Sequence, residues 1–346
     1  MTTPEVDNAT IDDAAAGAFF TGGGDAARKL PPVAIVIAAF NEADVIGQVI
    51  EALPAEICGL KTAVIVVSDG SGDKTAEVAR AGGALVCDVP VNRGQGAALR
   101  LGYRLAREGG ASYLVTTDAD GQYNPAEMER VLAPVVAGEA DFVTGSRKLG
   151  SQETNDPVRR LGTWVFAVTI SVLTRQRITD SSFGLRAMRA EVTGAVRLEQ
   201  PQYQSSELLI AVLAHGFRVT EVPATIHKRK VGESKKGHNA IYGLKFAGVV
   251  GRTWWRERQR RVRGSGSVEA SSAEASAAGR RPGDRSAAPA GPAAQAGEPP
   301  RRAPSPPAAN GSGPDSASTG GIGVPEASAA DTSESSTLEP RSAKRR

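Results

Sequence analysis

The stretch YLVTTDADG, residues 113–121, decides the fold. A run that suits a buried strand, Tyr113 to Thr117, passes without a break into Asp118-Ala119-Asp120-Gly121. The same pattern recurs on either side. VAIVIAA (33–39) ends in Phe40-Asn41-Glu42, and the run 63–67 enters Ser68-Asp69-Gly70-Ser71-Gly72-Asp73. Residues 85–88 precede Gly94-Gln95-Gly96, and 141–145 close on Ser146-Arg147. Continuous rather than alternating apolarity marks strands covered on both faces, as in a parallel sheet. Helical spacing fills the gaps at 42–53, 74–81, 97–107 and 125–136, with Val45, Ile46, Val49 and Ile50 on one side of the first and Pro54 stopping it. Strict alternation of strand and helix predicts an open α/β sheet. Ligands in such sheets sit outside the carboxyl ends of the strands. Glu42, Asp69, Asp118, Asp120 and Arg147 all fall there.

Composition bounds the unit that carries this pattern. The chain has 346 residues, of which 40% are apolar, but the average hides a break. Residues 263–346 are Ala, Ser, Pro, Gly, Arg and Glu with hardly a large side chain, too little apolar surface to offset ordering entropy. That tail reads as disordered, and residues 1–31, acidic and Gly-rich with Phe19 and Phe20 isolated, read as a disordered leader. One globular domain remains, residues 32–262. Cys58 and Cys87 match no zinc or disulfide pattern and read as small buried hydrophobes in a reducing, cytoplasmic setting. No signal peptide and no run long enough to cross a bilayer is expected. A net charge of +3 excludes a strong global field. Basic clusters stand at 228–236 and 252–263; in the Arg-bearing tail, interspersed acids and missing aromatics argue against a nucleic-acid partner.

Chemistry concentrates at Asp118 and Asp120. Carboxylates this close repel unless a cation lies between them or one is protonated. Mg²⁺ or Mn²⁺ suits hard oxygen ligands and keeps positions open for diphosphate oxygens; a solvated Asp-Ala-Asp-Gly turn is the plainer alternative. Asp69 would accept bonds from a base or ribose, with Asp73 capping the next helix. Gly94-Gln95-Gly96 is either a phosphate cradle or a point of close packing. Leu99 stands where a dinucleotide fingerprint needs glycine, which sets aside a Rossmann dehydrogenase. Arg229, Lys230, Lys235 and Lys236, spaced by Gly232 and Gly237, form either a loop that closes over a diphosphate or an ordinary basic surface loop.

Together these residues resemble family 2 glycosyltransferases, in the branch of dolichyl-phosphate mannose synthase and bacterial polyprenyl-phosphate glycosyltransferases. The likeness runs from about Val33 to Tyr242. Ala38-Ala39-Phe40-Asn41-Glu42, Ser68-Asp69-Gly70-Ser71, Arg93-Gly94-Gln95-Gly96-Ala97, Asp118-Ala119-Asp120, Thr144-Gly145-Ser146-Arg147, Glu207 and Val231-Gly232-Glu233-Ser234-Lys235 follow the family's order. The resemblance implies a GT-A-type nucleotide-sugar-binding fold with a mostly parallel central sheet. It also implies a nucleoside held by Ala38, Phe40, Glu42, Val67 and Asp69, with Ala119 along the nucleotide. Asp118, Asp120 and Gln122 would carry Mg²⁺ or Mn²⁺. Arg147, Arg229 and Lys235 would bind phosphates, and Arg159, Arg160, Asp180 and Arg186 the acceptor. Asp120, Arg147 and Glu207 stand as the catalytic set. The sequence departs from the family at Ala38, at Ser68, and at Phe183-Gly184-Leu185-Arg186, where a Ser-Gly-Phe-Arg is expected.

The activity implied is metal-dependent, inverting transfer of a sugar from GDP-mannose or a UDP-hexose to a polyprenyl or dolichyl phosphate. Such an acceptor is already anionic and needs little general base. A hydroxyl acceptor on a small molecule or protein would need one, with Asp180 or Glu207 as candidates; a non-catalytic nucleotide-sugar-binding scaffold is the third reading. Leu161 to Leu173 is almost wholly apolar between Arg159-Arg160 and Arg175-Arg177, and Ile241 to Trp255 ends in paired tryptophans. Both suit the membrane interface, and equally a core helix or dimer contact. The expectation is a peripheral protein on the cytoplasmic face, touching lipid or a membrane protein partner.

Overall fold

The computed structural model describes residues 8–153, 157–201, 204–228 and 247–260. Helices α1 (Asn8–Gly22) and α2 (Gly24–Arg28) lead into β1 (Val33–Ala39) and α3 (Ala43–Glu51). The short β2 (Glu56–Ile57), β3 (Leu60–Asp69), α4 (Thr75–Ala81), β4 (Leu85–Val89), α5 (Gln95–Glu108) and β5 (Tyr113–Asp118) follow. A 3-10 turn (Pro125–Glu127) opens α6 (Met128–Val136). The chain continues through β6 (Phe142–Gln152), α7 (Pro157–Thr174), β7 (Arg186–Arg189), α8 (Ala190–Ala195), α9 (Gln204–Ala214) and β8 (Val219–Ile226). Residues 247–260 are helical.

The strands form one eight-stranded sheet in the order β4-β3-β1-β5-β7-β6-β8, with β2 pairing antiparallel against the start of β3. β4, β3, β1 and β5 are parallel neighbours, as continuous apolarity predicts. β7 runs antiparallel to both β5 and β6, and β6 and β8 are again parallel. Strand alternation sorts the core onto two faces. Ala34, Val36, Ile65 and Val67 meet Leu101 and Leu105 of α5 and Leu209 of α9. Val33, Ile35, Ile37 and Val66 meet Ile46 of α3 and Val131 and Leu132 of α6.

Register sets the functional edge. Ala38 lies opposite Val67 on one side and Asp118 on the other, so these residues form one row where the parallel strands end. Because β7 is antiparallel, it enters the sheet at that same edge, with Arg186 opposite Thr116 and Thr144. Reversing one strand brings the loop before β7 beside the carboxylates after β5.

Expectations for the flanks need correction. Residues 8–28 are two helices, not a disordered leader: Ala15, Ala16 and Phe19 are buried against the first core face. Composition undervalued them because α1 packs through alanines and one aromatic ring. Cys87 is buried as expected, and burial pushes its thiol up to about 12. Cys58 is only half-buried. Residues 1–7 and 261–346, including the Ala/Ser/Pro-rich tail, lie outside the described residues, as does the cationic segment 229–246.

Candidate active site

The Asp-Ala-Asp segment sits where β5 leaves the sheet. Asp118 Oδ1 accepts a bond from Gln95 Nε2 at 3.0 Å, tying the strand end to the first residue of α5. Its other oxygen faces Gly184, where an added Cβ would lie 2.7 Å from Asp118 Oδ2 and 2.7 Å from the Tyr123 hydroxyl. Asp120 is buried, its Oδ1 accepting the Gln122 amide at 3.2 Å. Ala119 is buried in the second core face. The Tyr123 hydroxyl receives the Gly184 N–H at 2.8 Å, and its ring packs 4.9 Å from that of Phe183. Burial first, and the negative charge of Asp118, hold the Tyr123 hydroxyl well above its usual range, so it stays protonated beside the carboxylates.

Among the described residues no cluster of three or more His, Cys, Asp or Glu side chains could hold a metal unaided. Two hard carboxylate donors on a short loop are a fit for a divalent ion that takes its remaining ligands from water or phosphate oxygens. Gln122 is expected as a third ligand, but its Nε2 donates to the His227 carbonyl at 2.9 Å, and the His227 amide returns a bond to the Gln122 carbonyl at 2.9 Å. It stitches the Asp-Ala-Asp loop to the end of β8, directly before the cationic segment.

At the other end of the row, Phe40 is exposed beside the half-buried Ala38 and Glu42, while Val67 is fully buried. Asn41 takes a positive φ of 53°, accepts the Gly72 amide at 2.8 Å and donates its own amide to Ser71, tying the loops after β1 and β3 together. Asp73 is not the N-cap of α4, which is Lys74, but it accepts the Thr75 amide at 3.0 Å and the Ala43 amide at 3.2 Å, joining the starts of α4 and α3. Asp69 is not left free. Its Oδ2 accepts the Arg93 and Gly94 amides at 2.8 and 2.7 Å, and Arg93 Nε stands 3.5 Å from Oδ1. Burial raises its pKa, opposed by these bonds and the arginine charge. Asp69 shapes the loop before α5 through Oδ2, while its buried Oδ1 accepts no hydrogen bond from the described residues.

On the β7 side, Arg147 and Asp180 form a buried ion pair at 2.6 Å, with Arg147 Nη2 also 3.1 Å from Ser182 Oγ and its guanidinium 5.6 Å from the Phe183 ring centre. Asp180 is therefore spent on Arg147, and the amides of Thr179 and Asp180 are held by Glu221 of β8 at 2.7 and 2.8 Å. Buried Arg186 donates to the Phe183 carbonyl at 2.7 Å and to Ser205. Glu207 needs correction as a catalytic group. It is fully buried, and its oxygens accept the Glu199 and Gln200 amides at 2.9 Å each and Arg256 Nη1 at 3.1 Å. With three donors on its two oxygens and no exposure to water, it organises the 199–201 segment rather than standing open as a base. Arg160 is exposed on α7, Arg159 lies on the same helix, and Arg229 and Lys235 lie outside the described residues.

Sequence reading placed Gln95 and Gly184 in motifs without their contacts to Asp118, and it did not single out Tyr123 or Glu221, which the structure brings to this edge. Tyr123 stood legibly beside the Asp-Ala-Asp motif, whereas Glu221 carried no local signal because its partners lie some 40 positions away.

A mostly parallel sheet with carboxylates gathered at its carboxyl edge, joined there by a loop from one reversed strand, is the architecture of GT-A glycosyltransferases. The profile of Glycosyl transferase family 2 matches residues 34–196, and the chain belongs to that family. An undecaprenyl-phosphate mannosyltransferase of Micrococcus luteus is 31% identical over 239 residues, spanning 64% of this chain and 93% of that protein. A polyprenol monophosphomannose synthase of Mycolicibacterium smegmatis is 32% identical over 245 residues, spanning 63% and 87%. Among solved structures, glucosyl-3-phosphoglycerate synthase from Mycobacterium tuberculosis, in complex with Mn²⁺, UDP and glucosyl-3-phosphoglycerate, shares the fold at TM-score 0.51 and 21% identity, covering 74% of this chain and 86% of that one.

Proposed function

We propose that this glycosyltransferase moves a hexose from GDP-mannose or a UDP-hexose to a polyprenyl phosphate at the membrane surface, with inversion at the anomeric carbon. The observation that carries the reading is the pairing of Asp118 and Asp120 at the sheet's carboxyl edge, with Asp118 held by Gln95. Bound by these carboxylates, Mg²⁺ or Mn²⁺ would offset the charge that develops on the departing nucleoside diphosphate. Ala38, Phe40, Glu42 and Val67 line the nucleoside end, and Asp69 acts there through the Arg93–Gly94 loop. Arg229 and Lys235, outside the described residues, are assigned to the diphosphate by the order of the motifs. Arg147, paired with Asp180, addresses the donor phosphates, and Asp180, Arg186, Arg159 and Arg160 are assigned to the acceptor phosphate. One phosphate oxygen of the acceptor attacks the anomeric carbon as the bond to the diphosphate breaks. The nucleophile is an anion at neutral pH, so no proton has to be removed, and positioning supplies the acceleration.

Two observations favour a lipid phosphate over a hydroxyl acceptor. Asp180 and Glu207, the candidate bases, are both consumed by buried bonds. And α7 turns Leu161, Trp164, Val165, Val168 and Val172 outward, an exposed apolar stripe at helical spacing, beside exposed Arg160, Arg175 and Arg177. No helix among the described residues is long and apolar enough to cross a membrane, and this stripe suits lying in the headgroup layer on the cytoplasmic face. The test is to incubate the purified chain and Mn²⁺ or Mg²⁺ with nucleotide sugars, with and without polyprenyl phosphate, following nucleoside diphosphate release. Lipid-dependent release that vanishes in Asp120→Ala is expected. Donor hydrolysis or transfer indifferent to the lipid would overturn the acceptor assignment, and turnover unaffected by the substitution would overturn the site.

A further inference from the structure

The loop that opens α5 is gripped from two directions by parts of the chain outside the family match at 34–196. From one side comes α1. Asp12 Oδ1 meets Arg93 Nη1 at 2.5 Å, and this pair is almost wholly buried, the side chains 14% and 5% exposed. The same arginine reaches Asp69 through Nε, while its backbone amide and that of Gly94 bond Asp69 Oδ2. Arg93 thus stands between two carboxylates, the buried Asp69 at the nucleoside end of the site and the partly buried Asp12 of α1. From the other side comes the 199–201 segment, whose Pro201 carbonyl accepts the Gly96 amide at 2.8 Å. Contact there is so close that a Cβ at residue 96 would lie 2.1 Å from the Gln200 carbonyl oxygen. That segment is in turn fixed by Glu207 and by Arg256 from the helical residues 247–260. Between the two grips sits Gln95, whose side chain bonds Asp118.

A surface helix with no stake in the site would need no buried charge. Burying an ion pair costs desolvation that attraction repays only in good geometry, so the Asp12–Arg93 pair is an expensive way to attach a helix. Attachment alone is already served by Phe19, Ala15 and Ala16 in the core and by the exposed Asp13–Arg104 pair at 2.6 Å. What Asp12 adds is a fixed position for Arg93, and through it for Asp69, the Gly94 turn and Gln95. We propose that Asp12 of α1 is a positioning residue for the donor site, setting the Arg93–Gln95 loop against Asp69 and Asp118 and so tuning affinity for the nucleotide sugar. Coupling of this kind runs through a contiguous chain of buried contacts, Asp12 to Arg93 to Asp69 and Gly94.

The inference rests on the donor reading above, and the test keeps the two apart. In the full chain, Asp12→Asn, Asp12→Glu and Asp13→Asn are compared by amide hydrogen exchange without any ligand, and by steady-state turnover of GDP-mannose and UDP-glucose with Mn²⁺. In Asp12→Asn the Arg93 and Gly94 amides should exchange faster, and KM for the donor should rise by about tenfold with kcat within about twofold. Asp12→Glu should recover most of the affinity, and Asp13→Asn should match the unaltered chain in both measurements. Unchanged exchange and KM in Asp12→Asn overturn the proposal. So does an equal effect from Asp13→Asn, which would make helix attachment the cause, or faster exchange with an unmoved KM. If neither donor is turned over by the unaltered chain, the donor reading fails, while exchange still decides whether Asp12 orders the loop.

Discussion

Gly184 shows how little room the site allows at the level of a single residue. A methyl group there would enter the space of Asp118 Oδ2 and the Tyr123 hydroxyl at once, each 2.7 Å away. Both neighbours are held, the carboxylate by Gln95 and the tyrosine ring by Phe183, so the added carbon displaces a carboxylate rather than a flexible chain end. Gly184→Ala is expected to cut metal-dependent turnover by about 100-fold while the fold persists, since a misplacement near 1 Å costs that much; nucleoside diphosphate release beside circular dichroism checks it. Glu207 makes the opposite case. Glu207→Gln keeps the shape but sets an amide N–H₂ against backbone donors and removes the charge facing Arg256. It should cost roughly 2–4 kcal/mol of stability and lower Tm on the order of 10 °C. The pH profile of the remaining activity should keep its shape; loss of the acid limb would restore Glu207 as a base.

Among the elements, α7 is the one whose sequence and structure ask for something outside the chain. Its inner face places Ala167 and Ile170 in the core, and Ser171 accepts the Ile178 amide at 2.9 Å, fixing the helix to the acceptor-side loop. The outer face leaves Trp164 at 53% and Val172 at 72% exposure, a standing cost in water that lipid would remove. Trp164→Glu and Val168→Glu should each weaken binding to anionic vesicles by about tenfold, judged from the apolar area lost, with Tm little changed. Binding unaltered in a vesicle flotation assay would turn the stripe into a protein contact. Element α1 shows why such segments are hard to read. Its alanines carry no periodic signal strong enough to separate a docked helix from a loose one, and its fit exists only once β4 and α5 are in place.

Over the whole molecule, the reversed β7 makes one site from two halves of the sheet, and charges hold that junction. Asp141, just before β6, accepts the Arg218 amide at 2.8 Å, meets the Arg218 guanidinium at 2.8 Å and that of Arg189, at the end of β7, at 2.6 Å. Hydrogen bonds from Arg218 lead the causes that hold its carboxyl below the usual range. A carboxyl lowered by folding adds stability above its unfolded value near pH 4 and loses it as pH falls through the folded value. Because Arg218 is more than half exposed, water screens the pair and the contribution is small. Asp141→Asn should therefore lower Tm at pH 7 and flatten the acid limb of the Tm-versus-pH curve below about pH 4. A curve parallel to that of the unaltered chain would remove Asp141 from the acid response.

The sequence alone determined the strands and helices of the parallel half, because burial on both faces leaves a continuous apolar run that local reading detects, and because turn residues mark each carboxyl end. By the same means it located Asp118 and Asp120, whose meaning is set by each other at short range. What each remaining charged group does was decided only by tertiary structure. Asp69, Asp180 and Glu207 are all carboxylates at plausible positions, yet the first orders a loop, the second neutralises Arg147, and the third anchors a segment. A carboxylate's role depends on which donors reach it, and here those donors come from residues 24, 33 and 49 positions away. Hydrophobic patterning is a property of neighbours along the chain; the pairing of charge is a property of neighbours in space.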